Sequence, residues 1–219
     1  MPHIDALHFC IALGPLAVYL LLVGIINLSK RPFLTTGARD VAAIGVAISG
    51  FIAAGPMELF LPEAAADRFG PWVWLLLLAF YGLCLTLLVL MMRPRLVIYN
   101  ANPEQLRSIL SEVVNELDSD ARWAGDSLVL PQLGVQMHVE PFGAMRNAQL
   151  VAAGPRQSYT GWRRLELALV KTLKATKAAR NPQGYVMIAM GALMIGMITY
   201  TTISDSTTVV QGLNELLRR

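Results

Sequence analysis

Four stretches of about twenty residues, 8–28, 41–61, 72–92 and 184–204, run almost without charge. At a rise of 1.5 Å per residue this is the length a helix needs to cross the hydrocarbon core of a bilayer, so each is predicted to be a transmembrane helix. Trp72 and Trp74 open the third stretch and Tyr200 stands near the end of the fourth, as expected of amphipathic rings that favour the headgroup level. Gly55 and Pro56 are expected to bend or end the second, because proline removes an amide donor and crowds the turn before it.

From residue 93 to residue 180 the pattern becomes that of a soluble α+β domain. Residues 95–99 read as a short strand. Asn102 and Pro103 supply an N-cap and a first helical position, and Leu106, Ile109, Leu110, Val113, Val114 and Leu117 follow at helical spacing. Gly125 and Asp126, between 122–124 and 127–130, are a two-residue hairpin signal. Alternation over 135–140 and a run at 149–152 complete a three- or four-stranded, largely antiparallel sheet with the helix on one face. A last helix, about 159–179, places Trp162, Leu165, Leu169 and Leu173 on one side and Arg163, Arg164, Lys171, Lys174 and Lys177 on the other.

The predicted fold class is therefore a membrane all-α unit of four transmembrane helices with an inserted small cytoplasmic α+β domain, an antiparallel sheet plus two helices. Residues 1–92 hold three of the spans, 93–183 the domain, 184–204 the fourth span and 205–219 a short extracytoplasmic tail. Orientation follows from the basic residues, which short loops keep on the cytoplasmic side. Lys30, Arg31 and Arg39 lie between the first two spans, and basic residues outnumber acidic ones in 93–183, whereas Glu63, Asp67 and Arg68 separate the second and third. Both termini are then extracytoplasmic, in what is expected to be a bacterial inner membrane. No Lys or Arg precedes the first span and no small-residue cleavage pattern precedes Lys30, so that span is expected to be retained.

Of the 219 residues, 55% are hydrophobic and 15% charged, with a formal net charge of +3. This composition excludes a disordered tail, a disulfide framework and a strongly basic nucleic-acid binder. Cys10 and Cys84 both fall in apolar runs and read as small packing residues.

Small residues recur at helical spacing in the second span, at Gly45, Ser49 and Ala53 with Gly50 and Ala54 beside them, and Ala192 and Gly196 repeat the pattern more weakly in the fourth. Such faces let backbones approach closely, either within the chain or across an interface with a second copy or a membrane-protein partner. Glu58 is the one ionisable residue in the cores or near the ends of the spans that raises an ion, proton or substrate site; its position near the outer boundary reads first as a solvated carboxylate. The basic side of the last helix is within reach of anionic inner-leaflet lipids, each Lys or Arg near the surface contributing about 1 kcal/mol. It lacks the interleaved aromatics of a nucleic-acid face, so no nucleic-acid partner is expected.

There is no glycine-rich phosphate loop, HExxH helix or paired-cysteine spacing, and no catalytic residue, cofactor or metal is assigned. Gly125-Asp126-Ser127-Leu128 spells the opening block of the GDSL esterases, but the Asp-x-x-His that completes that family's site is missing, and the segment reads as a hairpin. His138 and Glu140 share one side of a strand without a third ligand. His3, Asp5 and His8 are too loosely spaced to be assigned a metal. The expected function is non-enzymatic, with the cytoplasmic domain serving assembly, scaffolding or regulation of a membrane complex. The alternative is a small homo-oligomeric transporter or channel with Glu58 near its pathway, and behind it a membrane enzyme acting on lipid or glycan.

Overall fold

The computed structural model describes residues 6–57, 70, 72–142, 147–155 and 157–204; His3, Asp5, Glu58, the last residues of the expected second span and the 205–219 tail lie outside them. In chain order the elements are α1 (Ala6–Leu28), β1 (Phe33–Thr36), α2 (Gly37–Ile52) running into a π-helical turn (Ala53–Met57), and α3 (Trp72–Met91). There follow β2 (Arg95–Tyr99), α4 (Pro103–Leu117), β3 (Arg122–Ala124), β4 (Ser127–Leu130), β5 (Val135–Phe142), β6 (Asn147–Ala152), α5 (Tyr159–Ala175) and α6 (Gln183–Ser204). α1, α2 with its π turn, α3 and α6 are long and apolar enough to cross a membrane, and this is a multi-span helical membrane protein with an inserted sheet-and-helix domain. The π turn falls on Gly55 and Pro56, where the missing amide breaks the regular ladder.

The chain divides into two compact units. One is drawn from Met1–Leu22, Ala42–Leu90 and Met187–Arg219, the other from Val23–Val41 and Met91–Val186. In the first, glycines set how closely the helices approach. A Cβ on Gly50 would strike the carbonyl oxygen of Ile11, one on Gly45 would strike the Leu85 side chain, and one on Gly191 would come within 2.9 Å of Leu21. The Tyr81 hydroxyl donates to the Gly45 carbonyl at 2.7 Å. Thr86, Thr199 and Thr202 donate back to their own helix carbonyls, which satisfies hydroxyls that lipid could not. Val18, Leu22, Leu76, Phe80, Leu83 and Leu193 are exposed, as lipid-facing side chains are.

The second unit holds a six-stranded sheet in the order β1-β2-β6-β5-β4-β3, antiparallel at every pairing. Period-two alternation sends Leu96, Ile98, Leu128, Leu130, Met137 and Leu150 to one face, where Leu106, Leu110 and Val114 of α4 and Leu165, Leu169 and Leu173 of α5 close the core. The sheet is wider than the three or four strands expected. Its added edge, β1, comes from the short connection between the first two spans and pairs Leu34 with Ile98 and Thr35 with Val97. Four residues carry too little periodicity to announce a strand; their partners are sixty or more positions away. α5 also stops at Ala175 rather than near 179: the Thr176 amide turns back to the Leu173 carbonyl, and the Ala178 amide donates at 2.8 Å to the carbonyl of Lys30, in the connection that follows α1.

Candidate functional site

The second unit gathers the ends of the membrane helices around the sheet, and two asparagines hold two of them together. Asn181 precedes Pro182, and its Oδ1 accepts from the Gln183 amide at 3.1 Å, an Asx turn that starts α6. Its Nδ2 donates to Asn27 Oδ1 at 3.1 Å and its main-chain amide donates to the Asn27 carbonyl at 3.0 Å. Asn27 Nδ2 in turn donates to the Val23 carbonyl at 2.9 Å. Both residues are 1% exposed, so the pair is a fully used polar clasp between α1 and the entry to α6, in a place where an unmet amide would be costly. Gly184 completes the approach: a Cβ there would lie 2.8 Å from the Gly24 carbonyl oxygen.

The first connection is pinned at further points. Asn100, held at φ +55°, donates from Nδ2 to the Ser29 carbonyl at 2.7 Å. The Tyr99 hydroxyl donates to Asp40 at the start of α2. Gly37 packs against the Arg95 side chain so closely that a Cβ would overlap it. On the other side, Arg39 of α2 reaches Glu166 of α5 at 3.6 Å, and Arg163 donates to the same carboxylate at 2.8 Å. Glu166 has a side chain only 10% exposed, and the two guanidiniums offset its burial. The sequence pattern marks Arg39 only as a charge that sets orientation, and it gives Asn27, Asn181 and Glu166 no role. Asn181-Pro182 is a local pattern of a helix start, but nothing local points to the partners of these residues.

Of the basic side chains expected on α5, Arg164, Lys171 and Lys174 are exposed on the helix and Lys177 just beyond it. Arg163 is partly committed to Glu166. Tyr159 and Leu167, 82% and 56% exposed, stand among them. At spacings of four, Tyr159, Arg163, Leu167 and Lys171 form one line along the helix, alternating an apolar body with a cation.

In the membrane unit, Gly45 and Gly50 are buried in contacts within the chain, Ser49 donates to the Val46 carbonyl at 2.8 Å, and Ala53 and Ala54 lie in the π turn. Ala192 and Gly196 are exposed, with open space where a Cβ on Gly196 would go. The glycines of α6 that face α1 are Gly184 and Gly191, seven residues apart, a two-turn spacing that was present in the sequence.

On the sheet face away from the core, Ser127 Oγ lies 3.2 Å from His138 Nδ1, a cross-strand pair set by the β4–β5 register. Gly125 and Asp126 form the hairpin turn beside it, with Gly125 at φ +63°. Among the described residues no three His, Cys, Asp or Glu come together as metal ligands, and Cys10 and Cys84 are free thiols, Cys10 lying 3.4 Å from the Thr202 hydroxyl. No protein-family model, no curated protein and no solved structure matches this chain.

Proposed function

We propose that this protein is a non-enzymatic membrane-anchored platform, whose α+β domain on the cytoplasmic side serves assembly, scaffolding or regulation of a membrane complex. The observation that carries this reading is the shared sheet: β1 comes from one connection between spans and β2–β6 from another, so the domain is built into the helix ends instead of hanging from a linker. A platform of this kind presents a rigid surface next to the bilayer, and the exposed cations of α5 fit contact with anionic inner-leaflet lipids.

Native mass spectrometry of the protein extracted gently from its own membrane tests the reading. A second protein at fixed stoichiometry is the expected result. A homo-oligomer that retains only a small molecule would favour transport instead. That second reading is supported by the π-helical turn Ala53–Met57, since such turns gather at functional positions and this one directly precedes Glu58. Loss of activity in Glu58→Gln with assembly preserved would place it first.

A further inference from the structure

The inserted domain contains a cavity of about 190 Å³ where the N-terminal half of α4 lies across the β3, β5 and β6 end of the sheet. Leu106 and Leu110 of α4 and Ala148 of β6, all buried, form its floor. Trp123 and Val139, packed on the core from its edge, form the walls. An apolar cavity of about 150 Å³ is enough to take up a benzene molecule. This one therefore has room for a single aromatic ring or branched aliphatic group, and its buried floor of Leu106, Leu110 and Ala148 presents only apolar side chains, the polar ones standing at the opening.

The mouth is charged, and its charges are not equally free. Arg107 donates to the Gly125 carbonyl at 3.2 Å, lies 3.6 Å from Asp126 and sits 5.3 Å above the Trp123 ring. Its cation is thus shared between a carboxylate and an aromatic face. Glu104, on the first turn of α4, makes no hydrogen bond or ion pair with the described residues and lines the same opening. With Glu104, Arg107 and Asp126 together, the mouth carries one negative charge in excess; Arg107 already covers the Trp123 ring and pairs with Asp126, so the excess charge rests on Glu104.

We propose that this cavity is a binding site for a small organic cation, a single aromatic or branched aliphatic group carrying a protonated amine. The apolar body enters between Leu106, Leu110 and Ala148, and the ammonium stays at the mouth beside Glu104. The site is independent of the assembly reading, since it is closed by residues of the inserted domain alone.

The test uses the full chain in nanodiscs, labelled with 5-fluorotryptophan, so that Trp72, Trp74, Trp123 and Trp162 each give a fluorine resonance, with Trp123 assigned by Trp123→Phe. The probes are 2-phenylethylammonium, 2-phenylethanol and 3-phenylpropanoate. Entry into the cavity moves the Trp123 resonance saturably, whereas simple partition into lipid moves Trp72 and Trp74, which belong to the membrane unit. The expected result is a saturable Trp123 shift with 2-phenylethylammonium, about tenfold tighter than with 3-phenylpropanoate, a difference of about 1.4 kcal/mol. Glu104→Gln, a surface substitution, should bring the cation and the anion within about twofold of each other. Ala148→Leu, which fills the cavity, should abolish the shift while the Trp162 resonance keeps its position as a reporter of folding. Absence of a saturable Trp123 shift, equal response to all three probes, or a shift undiminished in folded Ala148→Leu would each overturn the proposal.

Discussion

At the scale of single residues, the domain depends on a few polar side chains that serve main-chain groups far from them in sequence. Asp118 ends α4 and is buried, and its carboxylate accepts from the amides of Asp120 at 3.0 Å, Gln132 at 2.8 Å and Leu133 at 3.2 Å. Its main-chain amide caps α4 by donating to the Val114 carbonyl, and its side chain anchors the turn between β4 and β5. Its removal leaves those donors without an acceptor, two of them across the turn. Asp118→Ala is therefore expected to destabilise the domain by about 2–3 kcal/mol, read as a lower denaturant midpoint of the full chain by tryptophan fluorescence. Asp118→Asn keeps one acceptor oxygen and should lose less. In the sequence Asp118 is simply the polar residue after Leu117; its two distant partners depend on the sheet register and could not be read locally.

Among the elements, close approach distinguishes glycines that look alike in a row of letters. Gly50 meets the backbone of α1, whereas Gly196 faces open space. Gly50→Val forces the α1 main chain to move and is expected to cost about 1–3 kcal/mol, lowering the melting temperature in detergent. Gly196→Val should leave that temperature within error. If Gly196→Val nevertheless changes the mass of the assembly on native electrophoresis, the exposed Ala192–Gly196 side of α6 lies in an interface between chains. Gly45 is a poorer choice for the same question, because a larger side chain there strikes Leu85 inside the chain and would mix folding with association.

At the scale of the whole molecule, the α+β domain and the helix ends form one compact unit, and the line of Tyr159, Arg163, Leu167 and Lys171 gives it an amphipathic outer surface. Several cations near an anionic bilayer add to a substantial attraction, at about 1 kcal/mol each. In a variant with Cys10 and Cys84 replaced by alanine and Lys171→Cys introduced, labelling by a hydrophilic maleimide should be at least about fivefold slower in phosphatidylglycerol nanodiscs than in phosphatidylcholine ones. High salt should remove the difference, since it screens exposed charges. Equal rates in the two lipids would mean that this helix faces water or a protein partner.

The four spans, the inserted α+β domain, the α4 face and the hairpin at Gly125-Asp126 could all be read along the chain. Each follows from a local rule: apolar length for a span, a period of 3.6 or 2 for a face, a left-handed glycine for a turn. β1, the Asn27–Asn181 clasp, the Arg39–Glu166–Arg163 cluster and the cavity beside Trp123 could not, because each joins segments separated by many residues. Local periodicity reports which side of an element is apolar, since burial acts on one side chain at a time. Which polar group meets which partner, and where the core leaves a gap, depends on how elements pack, and that is a property of the assembled fold.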